Sequence, residues 1–210
     1  MNIWQKWIKS KYTMNFEGFI NEYITELDSL LSWLRKESEK IGICSAKIIE
    51  ALKEGGKVLL FGCGGSAADA QHIAAELIGR FKRERNPLPA IALTTNTSIL
   101  TALSNDYSFD IVFARQVEAL ATEKDVVIGI STSGKSKSVI EGVKMGKNKG
   151  AYTIALSGGE GGDLAKEADL AFIVPSKNTP LIQTLHMMIG HLICEIIDKH
   201  FGSENEEKKA

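Results

Sequence analysis

Two side chains that bind metals or move protons, His72 and Glu76, follow a glycine-rich turn in the stretch FGCGGSAADAQHIAAELIGRF. They stand four residues apart, so on a helix they share one face. The turn before them, GCGGS, leaves an apolar run and enters a helical stretch, an arrangement that aims backbone N–H groups at an anion. A second loop has complementary chemistry. In STSGKS the hydroxyls of Ser131, Thr132, Ser133 and Ser136 can all donate, and Gly134 lets the backbone turn tightly so that amides converge. The helix that follows adds its positive end. Such a loop binds a phosphate without arginine. The GxxxxGKS/T spacing of a nucleotide-binding loop is missing, which points to a phosphomonoester rather than a triphosphate. The plain alternatives are a solvated pair on a surface helix for His72 and Glu76, and a serine-rich helix cap for the second loop.

The surrounding pattern says what positions these groups. KVLLFG, AIALTT, DVVIGI, AYTIAL and LAFIVP are short apolar runs, each followed by a helical or loop segment. Apolar strands alternating with helices predict a parallel sheet covered on both faces. The expected fold is therefore α/β, a three-layer αβα sandwich around a five-stranded parallel sheet in the flavodoxin-like order 2-1-3-4-5. In that order the loops after the first and third strands flank the switch point and face one crevice. Helices are expected over 66–80, 98–103, 109–120 and 136–149. A long closing helix starts at Thr179, with Thr179 as its N-cap and Pro180 at the first helical position. Helical spacing of apolar residues from Asn15 to Lys53 predicts two N-terminal helices, a hairpin packed on the core or on a neighbouring subunit. Residues 1–14 read as a flexible tail, residues 15–200 as one domain, and residues 201–210 as a disordered tail. Trp4, Trp7 and Ile8 form at most a short apolar stripe in the first tail.

The 210 residues carry a net charge of -1, which favours neither nucleic acid nor an anionic membrane. Cys44, Cys63 and Cys194 are scattered and unpaired in sequence, which fits a reducing cytoplasm and argues against a thiolate zinc site. No uninterrupted apolar run is long enough to span a bilayer.

The segments FGCGGSAADAQHIAAEL, ALTTNTSILTALSNDY, GISTSGKSKSVIEG and TPLIQTLHMMIGHLICEIID resemble the phosphoheptose isomerases of the sugar isomerase (SIS) family, over a span from about Phe16 to His200. The serine loop marks the wide family. The pairs His72/Glu76 and Gln183/His191 mark the phosphoheptose branch. The resemblance implies conversion of sedoheptulose 7-phosphate to D-glycero-D-manno-heptose 7-phosphate in the cytoplasm, for lipopolysaccharide or another bacterial glycoconjugate. It implies that Gly64, Gly65 and Ser66 form the first substrate loop, that Asn105 and Asp106 contact the sugar, and that Ser131, Thr132, Ser133 and Ser136 hold the phosphate. It places Arg80 at the active site, one helical turn after Glu76, and gives Gln183 a substrate contact as well. It assigns acid/base roles to Glu76 and His191. It implies one Zn2+ per subunit on His72, Glu76, Gln183 and His191, and a homotetramer whose active sites are shared between subunits. Cys63 departs from the pattern: many relatives have asparagine there, so one side-chain amide is lost from the substrate loop.

The residues support this chemistry on their own terms. Gln183 and His191 lie eight apart, about 80° around a helix, so both can face one pocket with His72 and Glu76. Four N and O ligands suit zinc. His186 stands on the same apolar helix and reads as a core residue with a supporting role. A non-catalytic phosphosugar-binding or replication-initiator-associating protein is the main competing reading. It is disfavoured because Glu76 and His191 are both present. A DNA-binding sensor lacks its helix-turn-helix segment here, and arabinose 5-phosphate isomerases often carry extra regulatory domains after the core.

Overall fold

The computed structural model describes residues 15–207, with side chains through Gly202. The Trp4, Trp7 and Ile8 stripe lies outside the described residues. Five parallel strands, β1 (Val58–Gly62), β2 (Ala90–Ala92), β3 (Val126–Ser131), β4 (Tyr152–Gly158) and β5 (Leu170–Val174), pair in the order β2-β1-β3-β4-β5. This is the expected topology. The central pair runs in register from Val58↔Val126 to Gly62↔Ile130, which ends β1 and β3 side by side. The loops after these strands therefore open on the same edge.

The three central strands, β1, β3 and β4, are buried almost throughout because their alternate side chains enter two separate cores. Val58, Leu60, Val126, Ile128, Ile130, Ile154 and Leu156 face one layer. Leu59, Phe61, Val127 and Ala155 face the other. The first layer holds α1 (Phe16–Lys36), α2 (Ser38–Lys53), α3 (Gly65–Ile78) and α8 (Thr179–Glu207). The second holds α4 (Thr97–Asp106), a 3-10 turn at Phe109–Ile111, α5 (Val112–Leu120), α6 (Lys137–Asn148) and α7 (Gly162–Glu167). The N-terminal helices meet at Glu37 and dock through Leu30, Leu34, Ile41 and Ile48. Full burial of each such side chain stabilises the fold by about 1.5–3 kcal/mol. Glu26 of α1 accepts hydrogen bonds from Ser176 Oγ and Asn178 Nδ2, which ties the first helix to the start of the last.

Several boundaries differ from expectation. Helix α8 begins one residue early, since Ile182 N already donates to the Asn178 carbonyl, so Pro180 is its second residue. It also continues to Glu207, through most of the stretch expected to be a disordered tail. The physical reason is visible at Gly202, which is buried and lies against Arg83, so packing carries the helix past His200. Its segment Thr179–Gly202 is long and apolar enough by length and composition to cross a membrane, contrary to the reading of uninterrupted runs. Half of that window is buried, however, and Leu181, Leu185, Ile189 and Ile197 are core residues of the first layer.

His186 sits in that core, fully buried, and its Nε2 donates to the Ser157 carbonyl at 3.0 Å. This bonds α8 to the end of β4. Burial holds the imidazole pKa down at about 4, with the Ser157 bond opposing. The unfolded chain takes the same proton near 6.5. The stabilisation is therefore complete above about 6.5 and is lost as the pH falls toward about 4. Denaturant melts over this window should show a loss of about 3 kcal/mol, and His186→Leu should flatten the dependence while lowering stability at neutral pH.

Candidate active site

The site is built where β1 and β3 end. Beyond β1, Cys63 and Gly64 form the turn and Gly65 begins α3. Ser66 is buried and its amide bonds the Cys63 carbonyl at 3.1 Å. A Cβ on Gly65 would overlap the side-chain amide of Gln183, so α8 lays Gln183 directly on this turn. Beyond β3, Ser131 Oγ donates to Ser136 Oγ at 3.0 Å, and the Gly134 amide bonds the Ser131 carbonyl at 3.1 Å. Ser136 caps α6 with no side-chain cap bond, so its hydroxyl stays on the loop's own face. Ser133 is exposed and accepts from the Lys135 amide, while Thr132 is half-buried. The two loops touch: Cys63 Sγ lies 3.5 Å from Ser138 Oγ in the first turn of α6. Cys63 thus replaces an amide with a contact that joins the turn to the cradle.

Helices α3 and α8 bring the reactive groups together. A Cβ on Gly190 would stand 2.7 Å from Ile73 Cδ1, so the Ile73 side chain packs into the space that this glycine leaves between the helices. The next residue, His191, then meets the residue before Ile73. His191 Nε2 is 3.5 Å from His72 Nε2, and His72 Nε2 is 3.1 Å from Glu76 Oε1. Phe81 stacks along the His191 ring with centroids 6.1 Å apart. One ligand atom from each of His72, Glu76 and His191 lies within 4.8 Å of the others. Two imidazole nitrogens and a carboxylate oxygen converging on one point fit a small divalent cation, and three such ligands leave a position for substrate. Gln183 is placed by the Gly65 turn.

Other expected residues stand apart from this cluster within one chain. Asn105 and Asp106 are exposed at the end of α4 and bond each other at 2.9 Å. Among the described residues, no hydrogen bond joins them to either loop or to the histidines. Arg80 is exposed and not on α3, because the helix ends at Ile78 and Gly79 is extended at its C-cap. The expected helical placement one turn after Glu76 is therefore corrected, while the next residue, Phe81, still packs on the His191 ring. A groove of about 590 Å3 lies between α4 and α5 against Ile99, Leu103 and Leu120, and none of the histidines lines it.

Two residues escaped sequence reasoning. Asp69 lies one turn before His72 on the same helix, and its Oδ2 is buried without a partner. Burial raises its carboxyl to about 6, against the pull of His72. Its spacing of three from His72 was the available signal. Arg85 is buried under the end of α3, where its guanidinium bonds the carbonyls of Glu76 and Leu77. Nothing local in RFKRERNP distinguishes it from its neighbouring cations.

The floor of the cradle is backbone against backbone. Gly134 has φ +64°, and a Cβ there would overlap the Gly161 carbonyl. Gly134→Ala should cost at least about 2 kcal/mol, from the left-handed conformation and the overlap together. Gly55→Ala, at φ +82° in open space, should cost only the conformational part. Chemical denaturation of the two variants checks this, and Gly134→Ala should also abolish protection by a phosphomonoester.

Comparison with known proteins identifies the family and the fold. The family model described as SIS domain matches residues 22–158. The phosphoheptose isomerase of Aquifex aeolicus is 57% identical over 169 residues, which are 80% of this chain and 88% of that one. That of Roseiflexus sp. is 50% identical over 185 residues, 88% of this chain and 94% of that one. The solved phosphoheptose isomerase GmhA from Neisseria gonorrhoeae superposes with a TM-score of 0.83 at 40% identity, over 88% of this chain and all (100%) of that chain. A phosphoheptose isomerase from Francisella tularensis gives 0.85 at 37% identity, over 89% of this chain and 100% of that chain. With a serine cradle at one strand end and a histidine–carboxylate cluster beside it, the chain belongs to the SIS domain family, in its phosphoheptose isomerase branch.

Proposed function

We propose that this protein interconverts sedoheptulose 7-phosphate and D-glycero-D-manno-heptose 7-phosphate, with the reaction carried by the cluster His72, Glu76 and His191. The single observation behind this reading is that cluster's position, on helices that flank a phosphate-type loop. An aldose–ketose isomerisation needs a phosphate anchor and, a few carbons away, two groups able to move protons. The identity of the relatives, up to 57%, supports the substrate.

In this reading the 7-phosphate accepts hydrogen bonds from Ser131, Thr132, Ser133 and Ser136 and lies at the N-terminus of α6. Gly64, Gly65, Ser66 and Gln183 hold the hydroxyls near the carbonyl. Glu76 takes a proton from C1 of the ketose, which leaves an enediolate across C1 and C2. His191 moves the hydroxyl proton from O1 to O2. Glu76 then returns its proton to C2, and C1 becomes the aldehyde. Charge and atoms balance, since one proton leaves C1 and one arrives at C2. His72, Glu76, His191 and Gln183 would hold one Zn2+, which would polarise the carbonyl and order the two oxygens. His72 bonds Glu76 and so fixes its carboxylate.

Asn105, Asp106 and Arg80 reach a substrate in this reading from an adjacent subunit, within a homotetramer. Its support is the apolar surface left by one chain: Phe19, Ile20 and Ile24 on α1, and Ile99 and Leu120 beside the groove between α4 and α5, are all exposed. A cytoplasmic setting is supported by Cys44 and Cys194, two buried free thiols that burial pushes up to about 12. The product would feed a heptose-containing glycoconjugate. A purely binding role is the less economical reading, because it leaves the converging histidines and carboxylate without a task.

Turnover of sedoheptulose 7-phosphate by the purified protein tests the proposal. Glu76→Gln should lower kcat at least about 100-fold with a small change in KM, and a chelator should lower activity that Zn2+ restores. Absence of turnover by the Zn2+-loaded wild type would sink the isomerase.

A further inference from the structure

The cluster depends on two helices contributed by distant parts of the chain, and one buried ion pair ties them together. Arg85 and Asp198 are almost fully enclosed, with side-chain exposures of 1% and 0%. Arg85 Nε donates to Asp198 Oδ1 at 3.1 Å. Arg85 Nη2 donates to the Glu76 carbonyl at 2.8 Å, and Nη1 to the Leu77 carbonyl at 2.9 Å and the Asn86 carbonyl at 3.0 Å. The other carboxylate oxygen of Asp198 accepts from the amides of Lys82 and Arg83, at 3.2 and 3.0 Å.

These contacts have a direction. The last carbonyls of a helix have no intrahelical donors. Arg85 satisfies two of them at the end of α3, and one belongs to Glu76 itself. Asp198 lies seven residues after His191 on α8, two turns along the same helix, about 20° off its line. The guanidinium therefore bonds the backbone of one member of the cluster and a carboxylate on the helix that carries another. At the other end of the contact, Gly190 lets Ile73 in. The two points fix how α3 and α8 lie along one another, and thereby fix the distance between Glu76 and His191. A buried pair of this kind adds little net stability over an apolar replacement, so its directional bonds are what it contributes.

We infer that Arg85 and Asp198 are positioning residues of the active site, whose clamp on the Glu76 carbonyl sets the geometry in which Glu76 meets His191 and a divalent cation. The kinetic part rests on the isomerase reading, and the metal part does not. Neither residue touches substrate in this account.

The test compares Arg85→Lys, which keeps the charge but loses the forked bonds, Asp198→Asn and Asp198→Glu, with Lys57→Met as control. Lys57 pairs with the buried Asp125 at 2.7 Å, on the opposite edge of the sheet from the loops. Melting curves establish the folded range. Calorimetric titration of metal-free protein with Zn2+ alone and steady-state kinetics are then run within it. Arg85→Lys and Asp198→Asn should bind Zn2+ about ten-fold or more weakly. Their kcat should fall about ten-fold or more while KM stays within about three-fold. Asp198→Glu should recover most of both. Lys57→Met should lower the melting temperature and leave both unchanged. If Asp198→Asn does not fold, Arg85→Lys decides alone. Folded Arg85→Lys with wild-type Zn2+ affinity overturns the inference, whatever its kinetics. Should the wild type bind Zn2+ but turn nothing over, the isomerase reading fails while the Zn2+ comparison still decides the clamp. A wild type that neither binds Zn2+ nor turns over overturns both.

Discussion

The approach of α3 to α8 is the contact on which the rest depends. Strand order alone sets both loops on one edge of the sheet. Without the approach of the helices the chemistry would be absent, because His72 and Glu76 belong to the first βα unit and His191 comes 119 residues after His72. Holding distant segments in register costs chain entropy that grows slowly with separation. The fold offsets that cost with apolar burial along α8, where Leu181, Leu185, Ile189 and Ile193 enter the same core as Ile73 and Leu77. A side chain on Gly190 would meet Ile73, the neighbour of His72, and displace it from this contact.

The site divides into two kinds of construction. The serine-loop end is rigid and largely backbone, with Gly134 seated on the Gly161 carbonyl, Ser157 Oγ bonding that same carbonyl, and the Leu164 amide bonding the Gly134 carbonyl. His186 carries this rigidity across to α8 through the Ser157 carbonyl. The reacting end is made of side chains whose ring and carboxylate positions follow from helix placement. Dipoles that are already oriented need no rearrangement when charge develops, which is why the anchor can be stiff while the reacting end is set by packing.

Much of this was legible in the sequence. The five strands could be read because each is apolar on both faces, their alternation with helices pointed to a parallel sheet, and the flavodoxin-like order then placed the loops after β1 and β3 at one crevice. His72 with Glu76 could be paired from helical spacing, Gln183 and His191 came from the family resemblance with a spacing that allows one face, and His186 was recognisable as a core residue on an apolar helix. What was hidden depends on contacts between distant segments. Arg80 looked like a continuation of α3 because Gly79 does not reveal from sequence whether it bends the chain. Arg85 and Asp198 looked like ordinary charges, since only the fold buries them against each other. The end of α8 was misjudged for a similar reason: a polar, charged stretch reads as solvent-loving, whereas Gly202 is held against Arg83.

The place of α8 in chain order has a consequence for biosynthesis. A chain made from its N-terminus displays β1 through β5, and the apolar side of α3, before the helix that covers them exists. Until α8 emerges and docks, Ile73, Leu77, Ile128 and Leu156 lack the apolar helix that covers them in the finished fold. Such a surface is an aggregation hazard during folding. The nascent chain is thus most in need of protection while all five strands have been made and α8 has not.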